Sequence, residues 1–242
     1  MPKQNPPPKY SILILTYNRV DLIEARLAEI ERLYAYRRDL EIRVLDNGGN
    51  DSGGTNLFLL SRTRDWPNET GSKLYVNRIA KNIGFGPGFN YLAKDALGDV
   101  IFIVSDDVKI LGDFITPVAE AIEAFPNSLV CQEMISGPSG WNQFGGTVID
   151  YPAGYFLACT KKMWWEVIGG FDDRYVPYDY EDVDLGMALE KLQIPMVRME
   201  HLPIKHMVAG TIGFNPERYE NTVLQRKRFA EKWELPNVPE RP

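Results

Sequence analysis

Apolar residues recur along this chain in two rhythms. Residues 10–15 (YSILIL), 41–45 (EIRVL), 74–76 (LYV) and 101–104 (IFIV) are short apolar runs rich in β-branched residues. Each is followed by polar or glycine-containing segments. This is the pattern of strands buried on both faces of a sheet. Between the first two runs, Ile23, Leu27, Ile30 and Tyr34 fall at helical spacing, in a helix opened by Asp21. Strand, helix, strand in that order implies a right-handed crossover and a parallel pair. The expected fold is therefore α/β, a mostly parallel central sheet flanked by helices.

The remainder is read in the same way. Residues 57–60 suggest a short helix, and a helix runs through Leu92 and Ala96. Residues 114–125 form a helix that tolerates Pro117 in its first turn. Residues 129–131 are a strand, 136–146 (SGPSGWNQFGG) a loop or hairpin, 154–159 (GYFLAC) a strand and 161–168 a helix. Leu185, Leu189 and Leu192 mark another helix, and 195–199 a late strand. Asn215 and Pro216 are expected to cap a final helix over 217–233. The proline-rich residues 1–9 read as a disordered leader, 10–235 as one domain and 236–242 as a loose tail.

Composition narrows the function classes. The 242 residues suffice for a full core. A formal net charge of −6 argues against general binding to nucleic acid or anionic membranes. No uninterrupted apolar segment is long enough to span a bilayer, and residues 1–10 lack the apolar stretch of a secretory signal. The two cysteines, Cys131 and Cys159, give neither a disulfide framework nor zinc spacing. They read as buried thiols in a reducing, cytoplasmic compartment.

The candidate chemistry gathers where the runs end. The strand over 101–104 stops at Ser105, Asp106 and Asp107. Adjacent carboxylates repel each other unless something positive lies beside them, and the C-terminal edge of an open α/β sheet is where ligands bind. A hard divalent cation, Mg²⁺ or Mn²⁺, suits these oxygens, particularly if it also holds phosphates. Capping of the following segment is the plain alternative. Thr16, Tyr17, Asn18 and Arg19 follow the first strand, and Asp46 and Asn47 end the second. Asn82, Gly84, Gly86 and Asn90 form a glycine-rich stretch whose backbone can approach a ligand closely. Tyr178 to Asp184 is acidic and opens a helix, where acids suit the macrodipole. It is denser in acids than capping needs.

In this order the motifs resemble family 2 glycosyltransferases of the GT-A fold. Thr16-Tyr17-Asn18-Arg19 is similar to the family's nucleotide-pocket motif, and Asp46-Asn47 to its second-strand acid. Asn82-Ile83-Gly84-Phe85-Gly86 with Asn90 resembles the Asn-x-Gly motif of rhamnosyltransferase-like members. Ser105-Asp106-Asp107 stands where the family has Asp-x-Asp. Gly169-Gly170-Phe171-Asp172 and Glu181-Asp182-Val183-Asp184-Leu185 resemble its paired late signatures. His206 stands at the late metal-binding histidine, and residues 229–233 at the common ending before Lys-Trp. Ser105 departs from the pattern, because the first acid is missing.

The resemblance implies an inverting transfer of a sugar from a nucleotide-diphosphate donor, UDP- or dTDP-linked by preference, to a hydroxyl-bearing acceptor. It assigns Asp107 and His206 to Mn²⁺ or Mg²⁺, and Asp106 to the donor sugar or ribose. Thr16, Tyr17, Asn18, Arg19, Asp46, Asn82 and Gly84 fall to nucleotide and donor binding. Asp182 becomes the base, and Glu181 its support or a contact to the acceptor. Trp141, Tyr178 and Tyr180 are candidates for stacking on a sugar face. His201 does not match the motif. Three rivals stand beside this reading. A sugar nucleotidyltransferase would carry a basic glycine-rich loop where TYNR stands. A glycosyltransferase-like protein that binds without turnover is suggested by Ser105. A metal-dependent phosphotransferase leaves the acidic cluster at 181–184 unexplained.

Overall fold

The computed structural model describes residues 8–67, 71–207 and 216–236. The chain runs β1 (Tyr10–Thr16), α1 (Val20–Tyr34), β2 (Leu40–Asn47), α2 (Gly54–Asp65), β3 (Lys73–Ile79), α3 (Phe85–Asp95), β4 (Val100–Ser105) and β5 (Val108–Ile110). It continues through α4 (Ile115–Ala124), β6 (Leu129–Cys131), β7 (Met134–Ile135), β8 (Gln143–Phe144), β9 (Thr147–Val148), β10 (Tyr151–Pro152) and β11 (Phe156–Thr160). A π-helical turn (Met163–Ile168), α5 (Glu181–Lys191), β12 (Met196–Arg198), β13 (Ile204–His206) and α6 (Pro216–Lys232) complete it.

Seven strands form the central sheet in the order β12-β6-β11-β4-β1-β2-β3. β4, β1, β2 and β3 are parallel, and β11 runs antiparallel between β4 and β6. Side chains alternate between its two faces, as a pleated strand requires. Ile12, Ile14, Ile42, Val44, Phe102 and Val104 pack with α1, α2 and α4. Leu13, Leu45, Ile101 and Ile103 pack with Phe89 and Leu92 of α3, Trp164 and Leu185 and Leu189 of α5. Both faces are thus covered, which is why the strands read as continuous apolar runs rather than alternating ones.

Several expectations change. α2 is longer than the short helix expected over 57–60. Its apolar pattern is weak because only Thr55 and Leu59 are buried. The Asp51 carboxylate starts it by accepting from Thr55 N at 2.8 Å. The helix expected over 161–168 is π-wound along most of its length, with Gly169 N donating to Trp164 O at 2.9 Å. Strands β5 and β13 pair with each other outside the main sheet and have no apolar run of their own. Of the leader, Pro8 and Lys9 are described, and Lys9 extends the sheet. Its N donates to Asp39 O at 2.8 Å and its O accepts from Val100 N at 3.1 Å. Residues 1–7, the Asn215 cap and 237–242 of the tail lie outside the described residues.

Candidate active site

After β1 the chain builds outward to β2 and β3, then returns to lay β4 on the other side of β1. The order reverses there, and the carboxyl ends of β1 and β4 open a crevice. Register sets which residues meet at its rim. Thr16 lies opposite Asp46, and Leu15 opposite Ser105. The Thr16 hydroxyl oxygen is buried and meets no hydrogen-bond partner among the described residues. Asn18, in the left-handed region at φ 55°, joins the β1 and β2 loops. Its Oδ1 accepts from Asn50 N at 2.7 Å and its Nδ2 donates to Asn50 Oδ1 at 2.8 Å. Asp46 is covered by this loop, accepting from Gly49 N at 3.3 Å, with Arg78 Nε 3.4 Å from its other oxygen. Burial raises its pKa against the pull of that amide and of Arg78. Tyr17 and Arg19 are half-buried beside it, and Arg19 pairs with Asp21 at 2.7 Å.

Asp106 and Asp107 form the turn from β4 into β5 and are buried. What brings His206 to them is strand pairing. β13 runs antiparallel to β5 with His206 opposite Val108, and Met207 N donates to Asp107 O at 3.0 Å. His206 Nε2 then stands 3.5 Å from Asp107 Oδ2. The His206 ring stacks on Tyr155 at 4.1 Å, and Tyr155 O accepts from Ser105 N at 2.9 Å. A carboxylate oxygen and an imidazole nitrogen at this spacing fit a shared divalent cation of the Mn²⁺ or Mg²⁺ class. Among the described residues no three His, Cys, Asp or Glu side chains gather to cage an ion. The protein therefore offers a pair of ligands, not a closed site. His201 is exposed and takes no part.

The acidic segment reaches the same crevice from the other side. Asp179 and Tyr180 both lie in the left-handed region, at φ 72° and 74°. For side-chain-bearing residues this costs about 1–3 kcal/mol each, so neighbours must enforce it. α6 does so: Thr222 Oγ1 donates to Asp179 Oδ2 at 2.6 Å, and Asn221 Nδ2 to Tyr178 O at 2.7 Å. α5 then starts at Glu181, and Asp182 Oδ2 accepts from Gly154 N at 3.4 Å. Gly154 packs closely on this side chain, since a Cβ there would come 3.3 Å from Asp182 Cβ and need Asp182 to give way slightly. It precedes Tyr155, so two consecutive residues touch Asp182 and His206 respectively.

Burial pushes Asp182 up to about 6, with the Gly154 and Val183 amides opposing. Burial, then the charges of Asp182 and Asp179, raise Glu181 well above the usual carboxylate range. Glu181 Oε2 is buried with no hydrogen-bond partner among the described residues. Glu181 therefore keeps its proton where the unfolded chain would lose it. Stability from this group is full below its unfolded pKa and is lost as pH rises through the folded one. Glu181→Gln is expected to stabilise the fold at about pH 8 by roughly 1–3 kcal/mol, and much less at about pH 5. Urea midpoints at the two pH values check this.

Asp184 has a different task. It accepts from Tyr175 Oη at 2.9 Å, Trp233 Nε1 at 2.8 Å and Lys232 Nζ at 2.6 Å. Lys232 also reaches Asp172 at 2.7 Å, tying the two late signatures together. A cavity of about 270 Å³ lies between them, lined by Gly170, Phe171, Asp172, Glu181, Asp184 and Lys232.

The glycine-rich stretch meets protein on the side where side chains would project. Gly84, at φ 97°, would place a Cβ 2.8 Å from Val176, and Gly86 would place one 3.0 Å from Phe171. Asn47 Nδ2 donates to Asn82 Oδ1 and to Gly84 O, both at 3.0 Å, holding the loop at the β2 edge. Tyr180 is a correction, because it is buried. Its ring packs on Phe229 and its hydroxyl donates to Trp141 O at 2.5 Å, so it presents no face to a sugar. Trp141 and Tyr178 keep partial exposure, and Trp141 meets Tyr219 edge to face at 5.8 Å. Tyr155 had no signal in the sequence, since its role depends on the β11 and β13 neighbourhoods.

The two cysteines are buried and free, their thiols pushed up to about 12 by burial. Among the described residues no helix is long and apolar enough to cross a membrane.

A model of glycosyl transferase family 2 matches residues 11–173. The chain belongs to this family. It is 28% identical over 123 residues to the uncharacterized glycosyltransferase YfnE of Bacillus subtilis (strain 168). That match covers 51% of this chain and 29% of YfnE, so the chain spans under a third of that relative. Among solved structures, the mannosyltransferase PcManGT of Pyrobaculum calidifontis, with GDP-Man and Mn²⁺, superposes with a TM-score of 0.68 at 16% identity. It covers all of this chain and 69% of that one. GalNAc-T7 with UDP, GalNAc and Mn²⁺ gives 0.67 at 12% identity, over 93% of this chain and 48% of its own. S. aureus TarS 1–349 with UDP gives 0.59 at 16%, over 91% and 65%. With the family and the sheet order, these likenesses identify the fold as GT-A.

Proposed function

We propose that this family 2 member is an inverting glycosyltransferase that moves a sugar from a nucleotide-diphosphate donor to an acceptor hydroxyl. One observation carries the reading. The Gly154–Tyr155 pair places a carboxylate poised near neutrality, Asp182, and a metal-type ligand pair, Asp107 and His206, on one short stretch of backbone. A base and a charge-stabilising site on one crevice are what direct displacement at a sugar carbon requires.

Asp107 and His206 would hold Mn²⁺ or Mg²⁺, and a bound divalent cation neutralises charge on a departing diphosphate. Asp182 takes the proton from the acceptor hydroxyl as its oxygen attacks. Glu181, kept neutral, spares Asp182 a like charge alongside it. Thr16, Asn18, Asp46 and Arg19 line the nucleotide side, with Asp106 nearer the sugar or ribose. Solved relatives of the fold carry GDP-Man, UDP or UDP-GlcNAc, and UDP- or dTDP-sugars are the donors favoured here. Asn82, Gly84 and Asn90 support the narrower likeness to rhamnosyltransferase-like members. Trp141 and Tyr178, both partly exposed, remain the acceptor-side candidates, and a groove of about 480 Å³ bounded by Gln132, Glu133, Tyr155, Arg198 and Lys205 opens beside His206. Residues 10–235 act as one unit in this reading, since α6 buttresses the acidic segment.

Calorimetry with UDP, dTDP and GDP, each with and without Mn²⁺, tests the donor half. One pyrimidine diphosphate is expected to bind in a Mn²⁺-dependent manner. Asp107→Ala should weaken that binding by about 10–100-fold. Absence of binding by any nucleoside diphosphate with metal present would overturn the reading and leave a protein that binds free sugars as the alternative.

A further inference from the structure

Arg26 lies on the inward face of α1 and is 2% exposed, among Ile23, Leu27 and Ile30. A guanidinium stays charged when buried and carries five N–H donors, so its surroundings must supply acceptors or negative charge. One acceptor is in place, Glu29 Oε1 at 2.9 Å from Nη2. Nε and Nη1 are buried and meet no acceptor among the described residues. The further compensation is electrostatic. The carboxylates of Asp106 and Asp107 attract this guanidinium and offset part of the cost of burying it.

Helix geometry explains the placement. α1 starts at the carboxyl edge of the sheet, just after Arg19, and runs away from it. Glu29 Oε2 accepts from Ile110 N at 2.7 Å, so Glu29 stands level with the far end of β5. Arg26, three residues earlier, is about 4.5 Å nearer the edge along the helix, toward the carboxyl end of β4 after which the Asp106–Asp107 turn lies. An apolar side chain would complete this face of α1 at lower desolvation cost. A permanent cation there changes the field at the turn instead.

We propose that Arg26 is a built-in counter-cation for the Asp106–Asp107 turn. It lowers the affinity of the site for a divalent cation alone and raises it for the anionic diphosphate. Ser105, standing where a further acid would add negative charge, acts in the same direction. Arg26 is a positioning residue, acting on ligands through the field at the two aspartates. The inference rests on the donor-site reading given above.

The test is calorimetry on the full chain with MnCl₂ alone and with UDP in a chelator, comparing wild type, Arg26→Met and Glu29→Gln. Arg26→Met is expected to bind Mn²⁺ about tenfold more tightly and UDP about tenfold more weakly. Glu29→Gln keeps an acceptor for Ile110 N but leaves Arg26 uncompensated, and should shift both affinities in the opposite sense. If Arg26 serves only the packing of α1, each variant moves both ligands in the same direction or moves neither, and the inference is overturned. Should Arg26→Met not fold, the sign pattern of Glu29→Gln decides alone. Wild-type protein that binds neither Mn²⁺ nor any nucleoside diphosphate overturns the donor-site reading itself. Wild-type binding with the wrong signs in the variants overturns only the role of Arg26.

Discussion

Asp182→Asn is expected to lower turnover by about 10²–10⁴-fold, the usual contribution of a positioned general base. Nucleoside diphosphate binding with Mn²⁺ should stay close to wild type, because Asp182 faces the Gly154 amide and not the nucleotide rim. The pH profile carries the second half of the expectation. A base works only when deprotonated, and burial raises Asp182 to about 6. The rate should therefore fall about tenfold per unit as pH drops below that value and level off above it. Glu181 stays protonated through this range, so Glu181→Gln should leave the lower limb of the profile close to wild type. Release of nucleoside diphosphate, followed across pH for the three proteins, checks all of this. A flat profile in wild type, or unchanged turnover in Asp182→Asn, would remove Asp182 from the chemistry.

Lys232→Met should destabilise the fold by about 3–5 kcal/mol, as breaking one side of a buried ion pair does. Lys232 Nζ is the cation shared by Asp184, 5% exposed at its side chain, and Asp172, 18% exposed. Asp184 keeps its bonds from Tyr175 and Trp233 in the variant, but two neutral donors do not replace an ammonium. The carboxylate of Asp172 is held well below its ordinary range by Arg174 and Lys232, so it too loses stabilisation. Lys232→Met combined with Asp184→Asn should recover part of the loss by removing the uncompensated charge. Urea denaturation of the three proteins measures it. Equal stability of wild type and Lys232→Met would mean that solvent already satisfies this cluster.

Much of the proposed donor half was legible as sequence because it obeys local rules. Residues 10–15, 41–45 and 101–104 announce buried parallel strands, and the polar residues after each mark the sheet's carboxyl edge. The ordered motifs from Thr16 to Asp184 led to the family, and the family match confirms it. The sites that were missed or misread depend on distant neighbours. Gly84 and Gly86 signalled a close approach without saying of what, and on the side where a Cβ would project the structure has Val176 and Phe171. Tyr180 suggested stacking on a sugar, yet α6 buries it against Phe229. Arg26 interrupts an apolar stripe, and its meaning depends on what faces that stripe.

The sequence by itself determined the α/β class, the carboxyl-edge location of the crevice and the identity of the acids around it. Side-chain period and strand order follow from nearest neighbours along the chain, so one dimension suffices to read them. Only the tertiary structure decided which groups stand together. His206 reaches Asp107 because β13 pairs with β5. Asp182 takes a pKa near 6 because it is enclosed, with Gly154 against it. Asp184 is a structural anchor because Lys232 and Trp233 of the final segment close on it. Each of these rests on desolvation and on pairing across long stretches of chain, which spacing along the sequence does not encode.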